Sequence, residues 1–356
     1  MARPRRSRFA AKAGLVAAVA SILLLLFGAA RPSAHDPITT KITFAREIRA
    51  ILSARCVTCH GPGGSAPMPL TTYEEVRPWA RAIKEQVLAR RMPKWHAARG
   101  FGAFRNDPTL TPIEVGMIVS WIDGGLPYST SSPRVPAAAS TLVASAFPAR
   151  RSLGEGGRRK IGVPAVRVPA GGAEATGPLR TRWVSGWSFE PGDPLITSAT
   201  FTLADGTRAG SWVAGDGPVT LPPGTAIRVS SPLKVTVQRR EAADFEQPYQ
   251  ARPSMLRLVT RAKAPARRAW IARESCASPG AAAGAQLLAI RPLLGPGLSA
   301  RMAVQRIGAP AAILGWFRDF DPALARWYWL SRPTEFGIDA RLSADAPCDV
   351  ELLLSK

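Results

Sequence analysis

Cys56, Cys59 and His60 stand within five positions, in the stretch ARCVTCHGPGG, in a chain with only four cysteines and three histidines. Two thiols separated by two residues on a helical turn can each form a thioether with one haem vinyl group. The next residue then turns its imidazole toward the iron from the same side, which is the spacing of c-type haem attachment. Thioethers retain a haem that a small domain cannot bury well enough to hold by packing. A zinc half-site would need a second pair nearby, and His60 is adjacent to Cys59 rather than at finger spacing. A redox dithiol would sit in a thioredoxin-like βαβ context, which the flanking sequence lacks. The expectation is one covalent haem c, anchored by Cys56 and Cys59, with His60 as an axial iron ligand.

The other axial position has four candidates: Met68, Met92, His96 and Met117. An open site is the alternative. Met68 follows His60 by eight residues and must round the haem edge quickly. Met92 follows by 32, after a helix long enough to carry the chain to the opposite face, and Pro93 stiffens the backbone beside it. Met117 reads as a core residue of its own helix. Met92 is the preferred ligand, and a His/Met pair raises the reduction potential relative to two histidines. The other nitrogen of His60 should donate to a carbonyl, and GPGGSAPMP is the nearest source.

The elements that must position these residues are helical. Phe44, Ile48 and Ile51 recur on one face of a helix leading into Cys56. A second helix is expected from about 74 to 91, with Ala80, Ile83 and Val87 inward. TPIEVGMIVSWIDGG reads as a capped helix: Thr111 at the N-cap, Pro112 in the first turn, Glu114 completing the capping box, and Gly124 and Gly125 as the stop. Ile113, Met117, Ile118 and Trp121 are assigned to its core face.

The chain has 356 residues, 46% hydrophobic and 20% charged, which excludes global disorder. Its 31 glycines and 33 prolines favour β-structure and loops. The start is basic, with Arg3, Arg5, Arg6, Arg8 and Lys12. An apolar run from Ala13 to Ala30 follows, so residues 1–34 read as a signal peptide or membrane anchor. The bulk of the chain is therefore expected outside the cytoplasm, in the periplasm. Net charge is +22, and +17 without those five basic residues. That excess suits an acidic partner or an anionic membrane surface. No nucleic-acid-binding module organises it.

Residues 129–160, rich in Ser, Pro, Ala and basic residues, read as a linker. Beyond them, TRWVSGWSF, SATFTL, RAGSWVAG and AIRVSSPLKVTVQ are β-rich runs between the turns PGDP, ADGT and LPPGT, a β-sandwich pattern. A Pro/Ala/Arg-rich stretch near 261–273 is expected to divide two β layers. Cys276 and Cys348 are read as a disulfide pair, the alternative being two buried thiols. The tryptophans at 183, 187, 212, 316, 327 and 329 read as core and turn residues.

Residues 41–128 resemble a bacterial monohaem c-type cytochrome domain. The likeness is carried by Phe44, Cys56, Cys59, His60, Pro62 and Gly63, by APMPLTTYEEVRPWARAIKEQVLARRMPKW, and by LTPIEVGMIVSWIDGGLP. Such domains often precede a copper type II, ascorbate-dependent monooxygenase-like (peptidylglycine hydroxylase-like) region of two β-sandwiches, each holding one copper. Residues 180–260 are similar to that region, and ARWYWLSRPTEFG more weakly to its end. The resemblance implies a multidomain protein: an all-α cytochrome c domain at 40–128, then an all-β, jelly-roll-like sandwich pair at 161–272 and 273–356. The copper sites of that family need several histidines, and this chain has none beyond His96. Thr197 and Ser198 stand where one histidine pair belongs, and Gln238 and Arg239 where another would follow. Met255 and Met302 alone cannot replace imidazole. No copper is expected.

The expected function is one-electron transfer by an exported cytochrome, with the β region docking a redox partner. Two alternatives belong to other classes: a haem-fed copper hydroxylase, against which the missing histidines speak, and a gas sensor, which a loosely held Met92 would favour.

Overall fold

A computed structural model describes residues 40–61, 64–66, 68–129, 165–177, 182–230, 232–241, 250–276, 284–337 and 340–356. The N-terminal stretch expected to be a signal peptide or anchor, with His35, the motif residues Pro62 and Gly63, and the stretch after Ser129 expected to be a linker lie outside the described residues. Among the described residues no helix is long and apolar enough to cross a membrane.

Four short helices come first. A π-turn at Phe44–Ile48 runs into α1 (Arg49–Arg55). Helix α2 (Tyr73–Val76) passes through a 3-10 turn at Arg77–Trp79 into α3 (Ala80–Leu88). The break falls at Pro78, whose nitrogen has no proton for the helical ladder. Helix α4 (Pro112–Asp123) carries the expected capping box between Thr111 and Glu114, and a second box joins Thr72 to Glu75. Phe44, Ile48, Ile51, Ala80, Ile83, Val87, Ile118 and Trp121 are buried together. Phe44 stacks edge-on against Tyr73 at 5.4 Å, and the Trp121 indole donates to the Pro127 carbonyl at 3.1 Å. Ile113, expected inside, is 70% exposed. The face beside it belongs instead to Glu114, which is buried against Arg55.

The strands of the first half are β1 (Ala165–Val168), β2 (Glu174–Gly177), β3 (Arg182–Glu190), β4 (Ile196–Leu203), β5 (Arg208–Val213), β6 (Val219–Thr220), β7 (Thr225–Val229) and β8 (Leu233–Arg239). Those of the second are β9 (Ser254–Arg261), β10 (Arg267–Ser275), β11 (Gln286–Leu293), β12 (Ala300–Arg306), β13 (Ala309–Phe317), β14 (Tyr328–Glu335), β15 (Arg341–Ala344) and β16 (Asp349–Ser355). One nine-stranded sheet runs β1-β9-β3-β7-β10-β16-β11-β14, with β6 also on β3. A four-stranded sheet, β2-β8-β4-β5, covers one end and a three-stranded sheet, β13-β12-β15, the other. Two apolar cores result, one around Trp187, Phe201, Val235 and Leu256, the other around Leu287, Met302, Phe317 and Tyr328. Trp187, Trp212, Trp327 and Trp329 are buried in the first core, as expected of core residues.

The expected division near 261–273 is where the large sheet is joined. Strand β10 pairs in parallel with β7, Ala269 opposite Ile227, and antiparallel with β16. Cys276 and Cys348 form a disulfide with a Cα separation of 5.4 Å, at one end of the β10–β16 pair.

The expected all-α cytochrome domain is not what the chain forms. Among the described residues 41% are in strands and 17% in helices, all short. Residues 95–106 leave the helical segment altogether. Ala97 bridges to Phe317 and Phe104 to Leu330. The Ala98 amide donates to the Trp316 carbonyl, and the Arg105 amide to that of Trp329. Asn106 bonds the backbone of Trp327 and Trp329 through its side-chain amide. Trp95 and Phe104 pack on Tyr328, with ring centroids 4.5 and 5.3 Å away. Helical periodicity ends near Met92, and the apolar residues after it find their burial in the β core.

Candidate haem-attachment site

Cys56 follows the last residue of α1, its amide donating to the Leu52 carbonyl. The turn continues: the amides of Cys59 and His60 both donate to the Cys56 carbonyl, at 3.1 and 2.8 Å. Both thiols and the imidazole therefore lie on one turn at the end of one helix. Arg55, just before the turn, pairs with Glu114 at 3.1 Å with both side chains nearly buried. Glu114 also caps α4, so the start of α4 and the end of α1 are locked by one carboxylate.

The loop after His60 folds back over it. The Leu70 amide donates to the His60 carbonyl at 2.7 Å, and His60 Nδ1 donates to the Met68 carbonyl at 3.1 Å. The orienting carbonyl lies within the stretch expected to supply it. A carbonyl only accepts, so the proton sits on Nδ1 and Nε2 keeps its lone pair. Burial lowers the His60 pKa and the bond to Met68 opposes that shift. Cys56 and Cys59 are free thiols of intermediate exposure. Burial pushes Cys56 up to about 12, with Cys59 adding to the shift. Cys59 is also raised, by burial first, while Arg326 pulls it back. Two un-ionised thiols and an oriented neutral imidazole on one turn are a donor set that fits a covalent haem c.

The other ligand candidates are spread apart. Met68 packs with Cys56 against the helical core, and Met117 packs there from α4. Met92 lies half-buried beyond α3, its amide directed to the Gln86 carbonyl at 3.4 Å. Among the described residues no hydrogen bond or shared core joins Met92 to Cys56, Cys59 or His60. His96 is committed elsewhere. Its Nδ1 meets the Tyr328 hydroxyl at 3.2 Å, and its Nε2 accepts from the Asp321 amide at 3.2 Å. With both nitrogens engaged in the β core, His96 has no lone pair for iron.

Several residues beside the turn were not singled out from the sequence. Gly215, in the turn after β5, lies so close to Cys59 that an added Cβ would stand 2.7 Å from Sγ. Arg326 is buried, donates to the Ala214 carbonyl at 3.1 Å and reaches Asp216 at 3.6 Å. Burial pushes the Asp216 carboxyl up, and Arg326 pulls it down. Arg240 donates to the Ser65 carbonyl. A DG turn and isolated arginines were the only signals, and they mark no site until the fold brings them to Cys59.

At the positions the resemblance assigns to copper histidines, Ser198 and Gln238 sit opposite each other on β4 and β8 and bond at 2.9 Å. Thr197 donates to the Gln238 carbonyl, and Arg239 pairs with buried Asp193 at 2.8 Å. Met302 is fully buried in the second core. Among the described residues no three His, Cys, Asp or Glu side chains converge on a common point.

No family model and no curated protein matches this chain. A solved structure, the major capsid protein P2 from bacteriophage PM2, aligns over 54% of this chain and 95% of its own, at 11% identity and a TM-score of 0.28. That likeness is too slight to carry fold or function across.

Proposed function

We propose that this protein is an exported electron carrier that holds one haem c through Cys56 and Cys59, with His60 as axial ligand. The observation that carries the reading is the His60–Met68 bond beside two free thiols on the same turn. When bound there, the haem supplies a one-electron Fe(III)/Fe(II) couple. The chain's own part is to orient the imidazole, limit water at the turn, and hold the two sulfurs one turn apart. Met92 is the proposed second ligand. Met68 lends its backbone carbonyl to His60 Nδ1 and packs with Cys56 against the helical core.

The Cys276–Cys348 bridge agrees with an oxidising compartment such as the periplasm, where haem ligation also takes place. The β region would dock a redox partner with an acidic surface, which the net charge of +22 favours. No copper is assigned to it, because hydroxyls, an amide and a guanidinium occupy the positions where imidazoles belong. The full chain, made alongside a haem-ligation system, tests the reading. It should keep a haem stain through a denaturing gel, give spectra of a low-spin cytochrome in both redox states, and contain iron without stoichiometric copper. A chain that loses all haem on denaturation overturns the proposal. Tight copper with ascorbate-dependent hydroxylation would reinstate the hydroxylase.

A further inference from the structure

Cys59 is held from the β half of the chain as well as by its own turn. Gly215 has φ +92°, a conformation that favours glycine, and the absence of a side chain leaves the space that the Cys59 sulfur occupies. The turn carrying Gly215 is itself fixed. Asp216 accepts from the Val213 amide at 3.0 Å, and the Trp212 indole donates to the Asp216 carbonyl at 3.0 Å. Arg326 grips the same turn at Ala214 and Asp216, with its guanidinium 5.9 Å from the Trp95 ring centroid. From the other side, Arg240 holds Ser65, whose side chain hydrogen-bonds Cys59. Arg326 is only 7% exposed, so its charge is poorly screened by water.

We propose that the Ala214–Asp216 turn and Arg326 form the β-side wall of the haem-attachment site. Gly215 leaves room for Cys59 to present its sulfur, and Arg326 sets a fixed positive charge beside the bound haem that favours the ferrous state. This rests on the haem reading above and adds two positioning residues supplied from more than 150 positions along the chain. Asp216 lies 3.6 Å away as a counter-ion, so removing the guanidinium makes the wall one charge more negative, which favours the more positive ferric state.

The test is made on the full chain. Arg326→Gln should lower the reduction potential, and Arg326→Lys, which keeps the charge, should restore most of it while the β-sheet circular dichroism stays unchanged. A purely structural role would not sort these two variants by charge. Gly215→Ala should leave much of the haem attached through Cys56 alone, seen in the pyridine haemochrome spectrum. In the haem-free chain it should speed alkylation of Cys59 by iodoacetamide several-fold relative to Cys56. A potential indifferent to the charge at position 326 overturns the electrostatic half. Two intact thioethers and unchanged Cys59 reactivity in Gly215→Ala overturn the wall, whether or not Arg326→Gln folds. A wild-type chain without covalent haem would instead remove the haem reading and this inference with it.

Discussion

His60 donates its Nδ1 proton to the Met68 carbonyl, 3.1 Å away, and this bond makes Nε2 the nitrogen available to a metal. Because the carbonyl belongs to the backbone, Met68→Ala should leave the His60 orientation intact. Met92→Ala should abolish the weak far-red sulfur-to-iron charge-transfer band of the oxidised protein, lower the potential and open the haem to carbon monoxide, because thioether sulfur favours ferrous iron. Met68→Ala should keep the band. The reverse pattern would move the ligand to the short loop, and no band in the wild type would turn the reading toward a gas-binding haem.

Cys56→Ala and Cys59→Ala should each leave a single thioether, with a red-shifted pyridine haemochrome band. The double variant should retain no haem through a denaturing gel. Retention by the double variant would mean that these thiols are not the anchors.

Arg55 and Glu114 form an ion pair whose side chains are only 9% and 12% exposed. Arg55→Met strands the Glu114 carboxylate in a buried site and should cost about 3 kcal/mol in urea unfolding. Glu114→Ala also removes half of the α4 capping box, adding roughly 1 kcal/mol. A cost below about 1 kcal/mol for Arg55→Met would show that the pair does not lock α1 to α4.

His96 should make stability fall on the acid side. Burial first, and Arg326 second, lower its imidazole to about 4. The unfolded ring titrates near 6.5, so below that pH the unfolded chain takes up a proton that the folded chain refuses until about 4. The contribution of the neutral ring is complete above about 6.5 and is lost progressively down to about 4, roughly 2 kcal/mol after allowing for its partial exposure. Urea midpoints measured from pH 7.5 to 4.5 check this, and His96→Gln should flatten that part of the curve. A wild-type curve no steeper than that of His96→Gln would refute it.

The Cys276–Cys348 bridge closes a separation of 72 residues. Loop closure of that length predicts about 4 kcal/mol of stabilisation through the unfolded chain. Cys276→Ser with Cys348→Ser should therefore lower the urea midpoint markedly without changing the haem spectrum. Coupled loss of haem attachment would tie the second core to the site more closely than the contacts indicate.

What the sequence by itself determined lies within one or two turns of chain. The spacing of Cys56, Cys59 and His60, the capping box of Thr111 and Glu114, and the stop at Gly124 and Gly125 depend on neighbours three or four residues away, and local spacing makes them legible. So do the alternating runs that became β3, β4, β5, β7 and β8, and the loop that orients His60. The tertiary structure decided the rest. Trp95, Ala97 and Phe104 read as the continuation of a helical domain, yet they pack against the β core of Phe317, Tyr328 and Leu330, Ala97 buried and the two rings partly so. The Pro/Ala/Arg-rich stretch read as a divide, yet β10 joins the two halves of one sheet. Gly215 and Arg326 carry no local signal that marks them as part of a site. Which apolar face covers which, and which turn meets Cys59, depend on burial between segments more than a hundred residues apart, and periodicity records that a face is apolar without recording its partner.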